Sequence, residues 1–224
     1  MNAKIISVSL SLLLVSFVPS SFAASQNSTL DSQGNYANPS LGIAFQAPAG
    51  WTVQEPKKSQ PNAPDIAVIA PYSTGLVSSI SFIVEKANGT SLDDDVKNKI
   101  NGLASSNQSG NIALLSEQDG TIGGAAAKTL LLQENFVSQN SSSVIKFEQA
   151  IVLANDQFYT ITYASEEKNF DGDLPNYEQL LDSIKFVGSD TSFWLDYVSI
   201  GIVAGALAVG LVMVKRKRKP IQKI

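Results

Sequence analysis

The stretch that decides the fold is Val144-Ile-Lys-Phe-Glu-Gln-Ala-Ile-Val-Leu-Ala-Asn-Asp-Gln-Phe-Tyr-Thr-Ile-Thr-Tyr-Ala164. Apolar and polar side chains alternate along both of its halves, a period of two that is typical of a strand with two different faces. The pattern predicts strands over Val144–Leu153 and Phe158–Ala164. The segment between them, Ala154-Asn-Asp-Gln157, is typical of a tight hairpin turn. We therefore expect an antiparallel sheet at the centre of the domain.

The same period recurs on both sides of this hairpin. Asn38-Pro39-Ser40 and Pro48-Ala49-Gly50 are turn signals between short extended pieces near the start of the domain. The alternation predicts further strands over Ile43–Ala47, Trp51–Val53, Ile66–Ala70, Ser78–Glu85, Ile112–Glu117, Ala126–Phe136 and Lys185–Val187. Asp119-Gly120, with Gly123-Gly124, is predicted to be a loop. The segment Gly120–Gly124 has no Walker lysine pattern, so a connection between strands is favoured over a phosphate-binding loop.

Two amphipathic helices complete the predicted domain. Ser91 is an N-cap candidate, and Asp93 to Asp95 follow in the first turn, where the helix dipole favours negative charge. A second helix is predicted over Leu174–Ile184, with Pro175 in its first turn. Together the elements predict the α+β class, an antiparallel sheet of about six or more strands flanked by helices.

Both ends of the chain carry apolar segments. Met1–Ala23 has the features of a secretory signal, and the small residues of Ser21-Phe22-Ala23 favour cleavage over an uncleaved anchor. Phe193–Val214 is a mostly apolar run whose helix would measure about 33 Å, enough to cross a bilayer core of about 30 Å. The predicted order is signal peptide 1–23, polar leader 24–34, extracellular domain 35–187, linker 188–192, transmembrane helix 193–214 and basic tail 215–224.

Charge is distributed unevenly along the chain. Ala24–Ser192 carries nine lysines, no arginine and nineteen acidic residues, a net charge of −10. The basic residues Lys215, Arg216, Lys217, Arg218 and Lys219 directly follow the apolar run and predict a cytoplasmic C-terminus. The expected location is thus the cell membrane, crossed once, with the acidic domain outside. Because phosphate contacts need Lys and Arg, no nucleic-acid partner is expected.

The sequence contains no cysteine and no histidine. Disulfides, thiol nucleophiles and cysteine-ligated zinc are therefore excluded. The missing histidine also removes the usual general base at neutral pH and the commonest metal ligand.

Two acidic clusters are candidate cation sites, each with a simpler interpretation. For Asp93–Asp95, the helix dipole explains acids in a first turn. Asp171-Gly172-Asp173, with Asp156 or Glu166-Glu167, could form an oxygen-rich calcium site. It lacks the EF-hand spacing and closing glutamate, so a solvated turn before the second helix is favoured.

Glu134 and Glu148 lie on predicted strands and could form the carboxylate pair of a glycosidase. Exposed strand positions explain them equally well. We therefore predict no catalytic residue, no metal ligand and no cofactor.

Four sequons mark candidate N-glycosylation sites, all in predicted loops or the leader: Asn27, Asn88, Asn107 and Asn140. In the apolar C-terminal run, Gly201 and Gly205 form a Gly-x-x-x-Gly motif, and Ala208 continues the same face. Small residues at this spacing let two membrane helices approach closely, so a homodimer through this seam is a candidate arrangement.

The segment Gly34–Val187 resembles PsbP-like domains. The resemblance rests on Tyr36, Leu41-Gly42-Ile43, Phe45, Pro48-Ala49-Gly50-Trp51, the hairpin quoted above and the ending Leu181-Asp-Ser-Ile-Lys-Phe186. It implies an α/β/α sandwich around an antiparallel sheet, a fold shared with a Ran-binding nuclear import factor family. Its photosynthetic members are lumenal photosystem II subunits that help retain calcium and chloride, whereas others are surface or lipid-anchored proteins.

Three functions are consistent with these features. The leading hypothesis is a non-catalytic, single-pass membrane protein whose extracellular domain binds an unknown partner or ligand, or serves as an accessory subunit of a membrane complex. The alternatives are an extrinsic subunit of the photosystem II type and an extracellular hydrolase that uses carboxylates. The hydrolase requires two acids that converge on one pocket.

Overall fold

The computed structural model describes residues 28–56, 63–71, 77–106, 112–138 and 141–187. The predicted signal peptide, linker, transmembrane helix and basic tail lie outside these ranges, as do Asn27, Asn107, Asn140 and the seam Gly201, Gly205 and Ala208. Across the described ranges, none of the helices has both the length and the apolarity needed to cross a membrane.

The described chain forms eleven strands and two helices. The strands are β1 Thr29–Leu30, β2 Asn35–Asn38, β3 Ile43–Gln46, β4 Thr52–Gln54, β5 Ile66–Ile69, β6 Ser79–Lys86, β7 Ile112–Ile122, β8 Ala125–Ser138, β9 Ser141–Ala154, β10 Gln157–Glu166 and β11 Lys185–Phe186. The helices are α1 Leu92–Ser106, between β6 and β7, and α2 Glu167–Ser183, between β10 and β11.

The strands form two sheets. Seven strands make an antiparallel sheet in the order β4-β5-β6-β10-β9-β8-β7, and four make a smaller sheet in the order β1-β2-β3-β11. The predicted hairpin lies at the centre of the large sheet, where Ala154 pairs with Gln157. The α+β class and the sheet of six or more strands are confirmed, whereas the second sheet was not predicted.

The two faces of the large sheet pack against different elements. On one face α2 and the small sheet cover apolar residues such as Phe82, Val152 and Ile161. On the other, α1 covers a second cluster that includes Leu130, Phe147 and Ile151. Side chains of successive strand residues point to opposite faces, so the alternation in β9 and β10 supplies both clusters.

Aromatic side chains of the small sheet pack against aromatic side chains of the large sheet. Phe45 stacks on Phe82 with ring centroids 4.9 Å apart and planes 9° apart. On the neighbouring strand of the small sheet, Phe186 of β11 packs against Tyr159 with ring centroids 4.6 Å apart. Such ring pairs add about 0.5–1.5 kcal/mol each to the burial of their area.

The turns that the sequence predicts are present in the structure. Asn155 and Asp156 have φ of 50° and 58°, which identifies a two-residue hairpin turn of the type that Asn and Asp tolerate. The amide of Leu41 donates to the carbonyl of Asn38, and that of Trp51 donates to Pro48. Both proline-containing turns are therefore confirmed.

Two predictions about element bounds are wrong. Asp119 and Gly120 belong to β7, paired with Lys128 and Ala127, and only Gly123-Gly124 forms the turn to β8. The strand continues because Lys128 binds the Asp119 carboxylate across the ladder at 2.7 Å.

Helix α2 begins at Glu167, seven residues before the predicted start, so Asp171-Gly172-Asp173 is helical and Pro175 lies inside the helix. Proline lacks the N–H that the carbonyl four residues earlier would accept, and glycine costs about 1 kcal/mol in a helix. Burial of Phe170, which is 3% exposed and packs on Tyr163 at 5.0 Å, holds this first part in place.

Candidate functional site

The structure separates the proposed carboxylate pair. Glu148 is opposite Leu131 in the β8–β9 ladder, and Glu134 is opposite Ile145. Residues three apart on one strand point to opposite faces, so Glu134 and Glu148 lie on different sides of the sheet. The glycosidase pair predicted as an alternative is therefore not assembled by these two residues.

Burial and the nearby Glu178 carboxylate raise the pKa of Glu148, and burial alone raises that of Glu134. Both shifts favour the neutral acid.

The acidic residues considered for calcium are also apart. Asp156 precedes β10, whereas Asp171 follows it, and ten strand residues span about 33 Å. Glu167 binds Lys146 at 3.2 Å instead of facing another carboxylate. Among the described residues, no group of three or more acids is arranged to hold a metal ion.

The three aspartates at the start of α1 have three different partners. Ser91 accepts a hydrogen bond from the Asp94 amide at 3.2 Å, which confirms the N-cap, and its hydroxyl donates to the Asp94 carboxylate at 2.7 Å. Asp93 lies 3.2 Å from Lys128, and Asp95 lies 3.4 Å from Lys99. These contacts support the capping interpretation over a cation site.

Lys128 is the centre of this charge arrangement. Its ammonium contacts Glu117 and Asp119 of β7 as well as Asp93 of α1. These hydrogen bonds to three carboxylates, that of Asp119 foremost, raise the pKa of Lys128. The residue thus ties the first turn of α1 to the β7–β8 hairpin.

A buried hydroxyl network at the start of α2 is not apparent from the sequence. Ser78 donates to the Asp173 carboxylate at 2.5 Å, and its hydroxyl lies 2.9 Å from that of Ser165. Tyr163 next to it donates to the carbonyl of Phe170 at 3.0 Å, and burial raises its pKa to about 12. The network joins β6, β10 and α2, and its hydroxyls are occupied by these bonds.

A second polar cluster lies under the small sheet. The Tyr36 hydroxyl donates to Glu55 at 2.5 Å, and the Asn38 amide donates to the Tyr36 hydroxyl at 3.1 Å. Burial, and then the Glu55 carboxylate, raise the pKa of Tyr36. The cluster connects β2 with the end of β4.

On the α1 side of the large sheet lies a patch of neutral polar side chains that we call the polar face: Ser81, Gln149, Thr160 and Thr162. Ser81 is opposite Thr162 in the β6–β10 ladder, and Thr162 is opposite Gln149 in the β9–β10 ladder. The Gln149 amide donates to the Thr162 hydroxyl at 2.9 Å. Neutral donors and acceptors thus run side by side across three strands.

Thr160 is the unusual member of the polar face. It is only 6% exposed, and its hydroxyl has no hydrogen-bond partner within the described ranges. A buried polar group without a partner costs about 1–3 kcal/mol, so the Thr160 hydroxyl lowers the stability of the domain relative to an apolar side chain of the same shape. The predicted strand Phe158–Ala164 includes Thr160, but nothing in the sequence indicated that the Thr160 hydroxyl is unpaired.

Of the four sequons, the structure describes one acceptor. Asn88 is exposed in the turn between β6 and α1, with φ of 50°. Its amide donates to the Lys86 carbonyl at 3.3 Å. The predicted loop position of Asn88 is therefore confirmed.

No protein-family model and no curated protein matches this sequence. Among solved structures, the chain is similar to cyanobacterial PsbP (CyanoP) from Synechocystis sp. PCC 6803, with a TM-score of 0.50 and 16% identity over 68% of this chain and 91% of that one. It also matches the Ran-binding protein Mog1p of Saccharomyces cerevisiae, with a TM-score of 0.44 and 12% identity over 66% and 92%.

A further match is LpqN, involved in cell envelope biogenesis of Mycobacterium tuberculosis, with a TM-score of 0.44 and 13% identity over 64% and 82%. At these identities the likeness concerns the fold alone, and the CyanoP match carries it. The described domain therefore has a PsbP-like fold, as the resemblance implied.

Proposed function

We propose that this chain is an exported, membrane-anchored protein whose PsbP-like domain binds a partner outside the cell and catalyses no reaction. Two sequence features support the location: the signal-like segment Met1–Ala23 and the apolar run Phe193–Val214 with its basic tail. Fold alone does not define function, so the binding role has to be argued from the surface.

The polar face is the observation that carries the binding role, because its members Ser81 and Thr162 are partly exposed in the middle of the large sheet. A domain that served only as a folded spacer would gain stability from valine at Thr160, because an apolar side chain of the same shape removes the unpaired group. Neighbouring Ser81, Thr162 and Gln149 add neutral donors and acceptors. We propose that the partner presents neutral hydrogen-bonding groups, such as amides or hydroxyls, to the polar face.

The key test compares Ser81→Ala with wild type in two measurements. We expect the variant to unfold at about the same urea concentration, yet to recover about 2–10-fold less partner from gently solubilised membranes, since one neutral hydrogen bond contributes about 0.5–1.5 kcal/mol. Ser116→Ala, on β7 and also partly exposed, is the matched control and should change neither result. Equal partner recovery from all three proteins would contradict a role for the polar face.

The membrane location is tested separately. In cells that make the full chain, carbonate extraction should leave the protein in the membrane pellet. Protease added to intact cells should cleave the domain and leave a tail epitope after Lys219 protected. A chain ended after Ser192 should appear in the medium or soluble fraction. Release of the full chain by carbonate would argue against the anchor.

A photosystem-type extrinsic subunit is the alternative that the likeness to CyanoP suggests. It predicts that the protein copurifies with a photosynthetic complex in the experiment above. The homodimer proposal concerns the membrane segment instead. If the seam brings two copies together, replacing Gly201 and Gly205 with isoleucine should reduce crosslinked dimer, because larger side chains keep the helices apart.

A further inference from the structure

The turn that joins β6 to α1 has a feature that neither element requires. It consists of Asn88-Gly89-Thr90, closed by a hydrogen bond from the Thr90 amide to the Ala87 carbonyl at 2.9 Å. Asn88 and Gly89 have φ of 50° and 78°, values that these two residues tolerate best. The turn thus explains the asparagine and the glycine but not the threonine, because any residue except proline supplies the closing amide.

The helix does not explain Thr90 either. The N-cap of α1 is Ser91, whose hydroxyl accepts from the Asp94 amide. The threonine side chain is therefore not needed for capping, although it stands two residues after an exposed asparagine. Asn-x-Thr is the acceptor sequence for N-glycosylation.

The turn is also open to solvent. Asn88 is exposed, and a methyl group built on the neighbouring Gly89 would meet no atom within 4 Å. The Asn88 amide makes a single long bond, 3.3 Å to the Lys86 carbonyl, that is readily given up. Geometry, exposure and sequence at this turn therefore all fit a modified asparagine.

We infer that Asn88 carries an N-linked glycan, an inference that rests on the proposed export of the domain. In the reaction, the Asn88 amide nitrogen bonds to the anomeric carbon of a lipid-phosphate-linked sugar. The bond from that carbon to the phosphate oxygen breaks, the lipid phosphate leaves, and the amide gives up one proton. No oxidation or reduction takes place.

A second turn serves as an internal control. Asn155 is also exposed, has the same φ of 50°, and lies in a two-residue turn, but Gln157 stands two residues after it. If exposure and backbone conformation alone determined modification, both asparagines would carry a glycan. If the sequon is required, Asn88 alone of this pair carries one.

The test is a peptide mass measurement on the full chain purified from membranes of the cells that make it. Trypsin releases Ala87–Lys97, in which Asn88 is the sole asparagine, and Phe147–Lys168, which contains Asn155. We expect the first peptide to carry the mass of a glycan and the second to be unmodified. An unmodified Ala87–Lys97 peptide overturns the inference.

Two variants link the modification to the sequon. Thr90→Ala removes the hydroxyl and should abolish the glycan on this peptide, whereas Thr90→Ser keeps the acceptor sequence and should retain it. A glycan that persists in Thr90→Ala would refute the assignment. In parallel, protease is added to intact cells to test whether the domain is accessible from outside. An unmodified peptide from a protease-accessible domain refutes glycosylation and leaves export intact, whereas a protease-protected domain refutes export.

Discussion

Replacing Gly123 with alanine tests how tightly the β7–β8 turn packs against the end of the domain. Gly123 has φ of 56°, and a methyl group on it would lie 2.9 Å from the Ile184 carbonyl oxygen and 3.0 Å from the Phe186 ring. Its neighbour Gly124 has φ of 80°, but a methyl group there meets nothing within 4 Å. The two glycines therefore share a left-handed backbone conformation, which would be strained for alanine, and differ in their surroundings.

The expected costs follow from this difference. Gly124→Ala should lower the free energy of unfolding by about 1–2 kcal/mol, the cost of the left-handed conformation alone. Gly123→Ala should lower it by about 1–3 kcal/mol more, the cost of overpacking the methyl group against Ile184 and Phe186. With a urea dependence of about 2 kcal/mol per molar, the midpoint for Gly123→Ala should fall about 0.5–1.5 M below that for Gly124→Ala.

The assay is a brief protease pulse on the full chain in mild detergent at increasing urea, which measures the fraction still folded. Wild type sets the reference, and Gly124→Ala supplies the control for backbone strain. Equal midpoints for the two variants would refute the reasoning, because they would show that β11 yields to the added methyl group at no cost.

Three further predictions concern charge and capping. Burial and Glu178 raise the pKa of Glu148, so the folded state favours its protonated form, and this contribution to stability is lost as pH rises from the ordinary glutamate pKa through the raised one. Glu148→Gln should accordingly raise the urea midpoint at pH 7 and leave it nearly unchanged at pH 3, and an equal effect at both pH values would count against the shift. Lys128→Ala should lower the urea midpoint, and should lower it by less in 1 M salt, because salt screens ion pairs. Lys97→Ala, on the exposed face of α1, is the control for this variant. A loss of stability that does not depend on salt would contradict an electrostatic role for Lys128. Ser91→Ala should cost about 1 kcal/mol through loss of the cap, whereas Ser91→Asn should cost little, and equal losses in the two variants would argue against capping.

Local chemistry explains the features that the sequence predicted well. The Asn155-Asp156 turn, the Ser91 cap and the alternation in β9 and β10 each depend on residues within a few positions of one another. These signals place the hairpin at the centre of a sheet before any tertiary contact is known.

The features that were missed depend on tertiary packing and on strand register. Helix α2 begins early because Phe170 is buried against Tyr163, and that burial outweighs the glycine and proline that follow. The Ser78–Asp173 bond joins residues 95 positions apart, so no local pattern could reveal it. Likewise, alternation predicted that Glu134 and Glu148 lie on strands. Only the register of the β8–β9 pairing shows that they lie on opposite faces of the sheet.

The pairing of β11 with β3 has a consequence for the order in which the domain can form. Phe186 pairs with Ile43, so β3, an early strand of the domain, is hydrogen-bonded on its outer side to some of the last described residues. While the chain emerges from the ribosome, the outer edge of β3 is open until those residues arrive. Unpaired strand edges are the surfaces that other chains capture. The growing chain therefore carries an open strand edge until β11 has been made, and β11 then pairs with Ile43 and Ala44 of that edge.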